Sequence, residues 1–167
     1  MKSIYLYWFL GVIGVVGIAV FSLLPAASES EQELKGAGFS ALVASEPFFD
    51  FGTISMSAGN LTHAFNIKNT GTSSVTIDKI YTSCMCTIAT LITQSGNEGP
   101  FGMQGHASIP QIAKVLAPGE EVRVDIVFDP AAHGPEGTGR VRRIVYLETG
   151  GGQESALQLS FEAVVTP

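Results

Sequence analysis

Cys84 and Cys86 are the only cysteines in the 167 residues, and a single residue separates them. In an extended strand, residues two apart point the same way, so this spacing puts both sulfurs on one side of the chain. Their Cα atoms would then lie about 6.6 Å apart, at the upper end of what a disulfide tolerates, and a bond between them calls for a bend or bulge. Two sulfurs on one tetrahedral metal stand about 3.8 Å apart, a separation such side chains reach with less distortion. Soft thiolate and thioether donors select Cu(I) or Zn, and Met85, Met103, His106 and His133 are further donors of suitable type. The candidate metal set is therefore Cys84, Cys86, Met103 and His106, and the candidate redox pair is Cys84 with Cys86. Two small apolar residues packed at a strand end remain a third reading.

The remaining chemistry-bearing residues read as structural. His63 shares the apolar face of Leu61, Phe65 and Ile67 and is expected to be a half-buried histidine with a hydrogen-bond partner. His133 follows Asp129-Pro130, which suits a turn. Asp50 and Asp129 each stand beside an aromatic residue and read as turn or strand-end hydrogen-bond acceptors. The sequence contains no Gly-x-Ser-x-Gly elbow, no His-Glu-x-x-His and no phosphate-loop lysine, and its cysteines lack the Cys-x-x-Cys spacing of thiol-disulfide enzymes. The expectation is a protein without catalysis, and without a cofactor unless Cu(I) or Zn sits at the cysteines.

These residues are carried by a chain whose first part is unlike the rest. Ile4 to Leu24 bears no charge and is long enough to cross a bilayer core, which takes about 20 apolar residues. Lys2 precedes it and Glu29, Glu31 and Glu33 follow, so the positive-inside rule exports everything after Leu24. Residues 1–26 are read as a signal-anchor helix, with a cleavable signal peptide as the alternative, and 27–40 as a flexible tether. Lys2 is the one basic residue of 9 that precedes Leu24, whereas all 15 acidic residues follow it. The exported part is thus acidic, which argues against nucleic acid as a partner. Arg140, Arg142 and Arg143 form the one basic knot, with Arg140 and Arg142 on one strand face and Arg143 on the other, read as a solvated strand edge.

From 41 to 167 the chain is a series of short β-type runs between Gly, Asn, Pro and Ser clusters. Pro47 interrupts an opening pair and marks an edge or a switch between sheets. Val122, Val124, Ile126 and Phe128 alternate with polar residues, as do Leu157, Leu159, Phe161, Ala163 and Val165. Seven or so strands predict an all-β, Ig-like sandwich, with Phe65, Ile67, Val124, Ile126, Phe128, Leu159 and Phe161 facing one another. Residues 88–116, rich in Gly, Ser and Pro over Ser95 to Pro110, read as an inserted loop.

The motifs of this region resemble a bacterial family, the domain of unknown function 1573, an Ig-like group similar to ASH and Hydin-type domains. The resemblance rests on Phe49-Asp50-Phe51-Gly52-Thr53-Ile54, His63 to Gly71, Ser83-Cys84-Met85-Cys86-Thr87, Pro118-Gly119-Glu120, and Phe128-Asp129-Pro130 with His133-Gly134. Met85 departs from the family's usual Gly between the cysteines. The resemblance implies a fold and a cell-envelope location, with no established activity. The reading that follows is a membrane-tethered extracytoplasmic binding or structural module, on the periplasmic or cell-surface side, whose partner is another envelope protein; the alternative is a soft-metal binding domain.

Overall fold

Every second residue of Glu121–Phe128 is apolar, so a strand formed there must have its Val122, Val124, Ile126 and Phe128 face covered. In the computed structural model, which describes residues 41–106, 108–150 and 152–167, a second sheet covers it. One sheet runs in the order β1 (Leu42–Ala44), β3 (Leu61–Asn69), β8 (Glu121–Phe128), β5 (Thr87–Thr93), β6 (Gly96–Phe101). The other runs β2 (Phe48–Ser55), β10 (Gly152–Thr166), β9 (Gly139–Thr149), β4 (Val75–Thr82), β7 (Lys114–Leu116). Among the described residues all pairings between these strands are antiparallel except that of β2 with β10. The seven residues expected to form the core are all buried, and Ile80, Val145 and Leu147 join them.

Pro47 is the switch it reads as. β1 pairs with β3 in one sheet and β2 with β10 in the other, with Ser45 N–H donating to Asn66 on one side and Ser160 N–H donating to Pro47 O on the other. Two residues later the Phe-Asp-Phe-Gly motif, Phe49 to Gly52, acquires a mechanical role. The register of β2 on β10 slips between Glu162 and Val164, and Gly52 takes φ +69° there, a left-handed value that favours glycine. The Asp50 carboxylate accepts the Gly52 N–H at 2.8 Å and fixes the bulge. Asp129 accepts the Ala131 N–H in the same way, so both aspartates are turn acceptors as expected.

Asn69 closes the opposite end. Fully buried, it donates from Nδ2 to Ser73 O at 2.9 Å and Leu116 O at 3.0 Å, and accepts the Gly71 N–H at 3.0 Å. One side chain thereby ties β3, the turn after it and β7 together.

Two expectations are corrected. The described residues hold ten strands rather than about seven. The extra three are β5, β6 and β7, so 88–116 is not an inserted loop: β5 and β6 form a hairpin closed at Thr93 and Gly96. Ala89 and Leu91 are buried, and that alternation outweighs the Gly and Ser content that suggested a loop. At the basic knot β9 has run past β4, whose last pair with it is Thr82 with Val145, so Arg140, Arg142 and Arg143 have β10 on one side only. Arg140 and Arg142 are exposed there as expected of a solvated edge, while Arg143 is half-buried. The proposed anchor helix and tether, 1–26 and 27–40, lie outside the described residues. Among the described residues no helix is long and apolar enough to cross a membrane.

Replacing Asn69 with Ala strands two carbonyls and an N–H in the interior. Each unmatched buried group costs about 1–3 kcal/mol, so urea unfolding should show a loss of about 3 kcal/mol or more; a loss under about 1 kcal/mol would show that water or relaxation replaces the clamp.

Candidate functional site

β4 belongs to one sheet and β5 to the other, so the chain between Thr82 and Thr87 has to cross the sandwich. It does so in a turn in which Thr87 N–H donates to Cys84 O at 3.1 Å. The cysteines therefore occupy a bend rather than the extended strand that their spacing suggested, and their Cα atoms are 5.3 Å apart. At that distance a disulfide fits, and Cys84 and Cys86 are joined by one. Among the described residues Ala113 is the only non-Gly residue with positive φ, so Met85 sits in a conformation open to any side chain. The departure from Gly is thus harmless to the backbone, and the Met85 side chain stands 53% exposed at the tip.

Both cysteines are nearly enclosed, with Cys84 7% and Cys86 3% exposed, and each sulfur has a polar neighbour from a distant part of the chain. The Nε2 of His133 lies 3.1 Å from Cys84 Sγ, while Arg143 Nε donates to Cys86 Sγ at 3.1 Å. Cys86 N–H also points to Cys84 Sγ at 3.3 Å. His133 is exposed and precedes a short 3-10 helix, Gly134–Gly137. A Cβ on Gly137 would stand 2.9 Å from the His133 Cβ, so glycine is what allows this turn to fold over the histidine. Arg143 shares the parity of Val141, Val145 and Leu147, which are buried, and so enters the end of the core from β9. Burial pulls its guanidinium pKa below the ordinary value. Its Nη1 donates to Arg142 O, and among the described residues it makes no ion pair. Arg140 and Arg142 turn the other way and reach Glu162.

Of the residues singled out in the sequence, the fold brings together Cys84, Cys86 and His133, whose ligand atoms all lie within 4.8 Å of one another. His106 is not in that group; it is exposed, with its N–H on Met103 O. Met103 runs beside Thr82 in a parallel bridge. His63 belongs to a different place, stacked on Phe49 at 3.7 Å and edge-on to Phe65. Its Nε2 approaches Glu46 at 3.4 Å, within ion-pair reach but without hydrogen-bond geometry, so among the described residues this nitrogen lacks the expected hydrogen-bond partner. Arg143 is the site residue that motif reading passes over. Its signal was an arginine in the inward register of a strand.

A family model described as Protein of unknown function (DUF1573) matches residues 42–102, a span that includes the Phe49 to Ile54, His63 to Gly71 and Ser83 to Thr87 patterns. No curated protein matches the chain. A protein of unknown function from Porphyromonas gingivalis W83 is similar in structure, with 14% identity and a TM-score of 0.52 over 74% of this chain and 46% of that one. This chain spans less than half of that protein, and the likeness shows a shared fold. Also similar are the secreted serine protease VesC from Vibrio cholerae, at 13% identity and TM-score 0.44 over 71% and 22% of the two chains, and an ASH / PapD-like domain of human CEP192, at 12% identity and TM-score 0.42 over 84% and 96%.

The Cys84–Cys86 bond closes a loop of sequence separation 2, and the chain-entropy relation assigns so short a loop only about 1.6 kcal/mol. Reduction should therefore leave the sandwich folded and lower its unfolding free energy by about 1.6 kcal/mol, measured in urea with and without dithiothreitol. A loss above about 4 kcal/mol would make the bond a structural staple.

Proposed function

We propose that this chain is a membrane-tethered, extracytoplasmic Ig-like module that binds another protein of the bacterial cell envelope and catalyses no reaction of its own. The observation that carries the reading is the Cys84–Cys86 disulfide, because such bonds persist in oxidising compartments and are rare in the cytosol. The apolar, uncharged run from Ile4 to Leu24 supports the same side of the membrane.

Recognition through a face suits this sandwich better than strand addition. β1 and β7 are three residues long, β6 carries Pro100, and β2 carries the Gly52 bulge. Each is a device that blunts a sheet edge. The outer face of β3, β8 and β5 instead offers a shallow depression lined by Thr62, Ala64, Thr90, Ile92, Arg123 and Val127.

Alkaline washing of membranes should leave the full-length protein in the membrane fraction, and alkylation of intact cells should find Cys84 and Cys86 oxidised. Soluble protein with free thiols would overturn the reading. A photocrosslinker at Thr90 should yield one discrete adduct with a membrane or periplasmic protein, reduced by Arg123→Glu; an adduct pattern unaffected by that change would remove the face from the proposal.

The gathering of two sulfurs and an imidazole within 4.8 Å favours one second reading, a soft-metal site in the reduced state, with His133 in place of Met103 and His106. Thiolate and imidazole together suit Cu(I) or Zn. Reduced protein purified without oxygen should then bind about one Cu(I) or Zn per chain, and His133→Ala should weaken that binding. Metal content at background would exclude it.

A further inference from the structure

Arg143 presents an unsettled account of charge. Its guanidinium is half-buried and among the described residues makes no ion pair, and its Nε hydrogen bond is spent on Cys86 Sγ at 3.1 Å. A sulfur is a weak acceptor, so this contact returns little for the desolvation of a cation. A thiolate in the same place would accept a charge-assisted hydrogen bond of much greater strength. The surroundings of Cys86 are those of an anionic sulfur. The surroundings of Cys84 differ: it is the more exposed of the two, its neighbour His133 is exposed, and the exposed Met85 stands beside it.

We propose that the Cys84–Cys86 disulfide is a reducible exchange site, attacked at Cys84 by a thiol of a partner protein dithiol, with Cys86 leaving as a thiolate held by Arg143. This rests on the binding reading for the partner and extends it from contact to a stoichiometric exchange of electrons, since a module that only binds would carry the same bond as an inert brace. The incoming thiol gives its proton to His133 and its sulfur forms a bond to Cys84 Sγ. The bond between Cys84 and Cys86 breaks, and its electron pair leaves on Cys86. The partner's second thiol then attacks the partner sulfur of the mixed disulfide, and its proton goes to Cys84 as that sulfur departs. The proton held by His133 returns to Cys86 or to water. Two electrons pass in all: the partner dithiol is oxidised to a disulfide, and Cys84 and Cys86 are reduced. Attack at the sulfur that lies beside the exposed Met85 and His133, with departure of the better-stabilised thiolate, follows the general preference of such exchanges.

The test treats the oxidised full-length protein in detergent with glutathione, quenches with iodoacetamide, and locates both labels by fragment-ion mass spectrometry. Glutathione should appear on Cys84 and the alkyl group on Cys86, with a preference of roughly tenfold or more, as expected when one leaving thiolate is held by a permanently charged guanidinium and the other by an imidazole and a backbone N–H. Arg143→Ala should slow the reaction by roughly tenfold and erode that preference, and Arg143→Lys should restore part of both. Melting curves identify any variant that is unfolded, and the label positions in the wild-type protein then decide alone. Glutathione placed on Cys86 or shared equally, or a bond inert in the folded protein, would overturn the proposal. So would a folded Arg143→Ala variant that reacts as fast as wild type.

Discussion

The corner between β4 and β5 is governed by one demand on the backbone: it must leave one sheet at Thr82 and enter the other at Thr87. A crossing this short buries polar backbone that no strand can satisfy. The Thr82 hydroxyl meets part of the need, lying 2.9 Å from Cys84 O and 3.0 Å from Thr87 O in a buried position. Asp129 N–H takes Cys86 O, while Ser83 exchanges hydrogen bonds with Ile144 through N–H and hydroxyl. The turn is thus tied to β8 and β9, one strand from each sheet. The bend that results is what shortens the distance between the cysteines and makes their bond feasible.

The same ties explain why distant residues meet at the sulfurs. Because Ser83 is fixed to Ile144, Arg143 is delivered to Cys86 across 57 residues of sequence. Because Cys86 is fixed to Asp129, the turn that follows Asp129 brings His133 to Cys84 across 49. An arginine at an inward position of β9 makes poor sense as packing, since a desolvated cation destabilises a core unless something offsets it. It makes sense if the adjoining sulfur is at times anionic. The fold and the chemistry of the site are in this respect one argument, in which the strand that holds the crossing also carries the charge.

Much of the sandwich could be read from the sequence because alternation is a local signal. β8 shows it over its whole length and β10 from Leu157 to Val165, and most residues it places inward belong to the core. Pro47 as a switch was legible for a similar reason, since a residue without an N–H has few places in a sheet. The β5–β6 hairpin was misread because Gly, Ser and Pro in and after it outweighed the short apolar rhythm of Ala89 and Leu91. The separation of Cys84 and Cys86 was misjudged because the spacing argument assumed an extended strand, whereas the need to cross between sheets dictates a turn. The meeting of Arg143 and His133 with the sulfurs was beyond any local pattern, because it depends on which strands become neighbours. Met103 and His106 drew attention by residue type alone, and the connection that carries them runs along β4 without delivering His106 to the cysteines.

The central claim is that the corner is organised around its sulfurs in both redox states, with Arg143 held for Cys86 and His133 for Cys84. A crystal structure of the reduced protein tests it most directly. The account predicts that both sheets superpose on the oxidised form, that Arg143 Nε stays within hydrogen-bonding distance of a now anionic Cys86 Sγ, and that His133 remains against Cys84. A reduced structure in which Arg143 swings out to solvent or to a carboxylate while the two thiols pack as neutral apolar groups would contradict it.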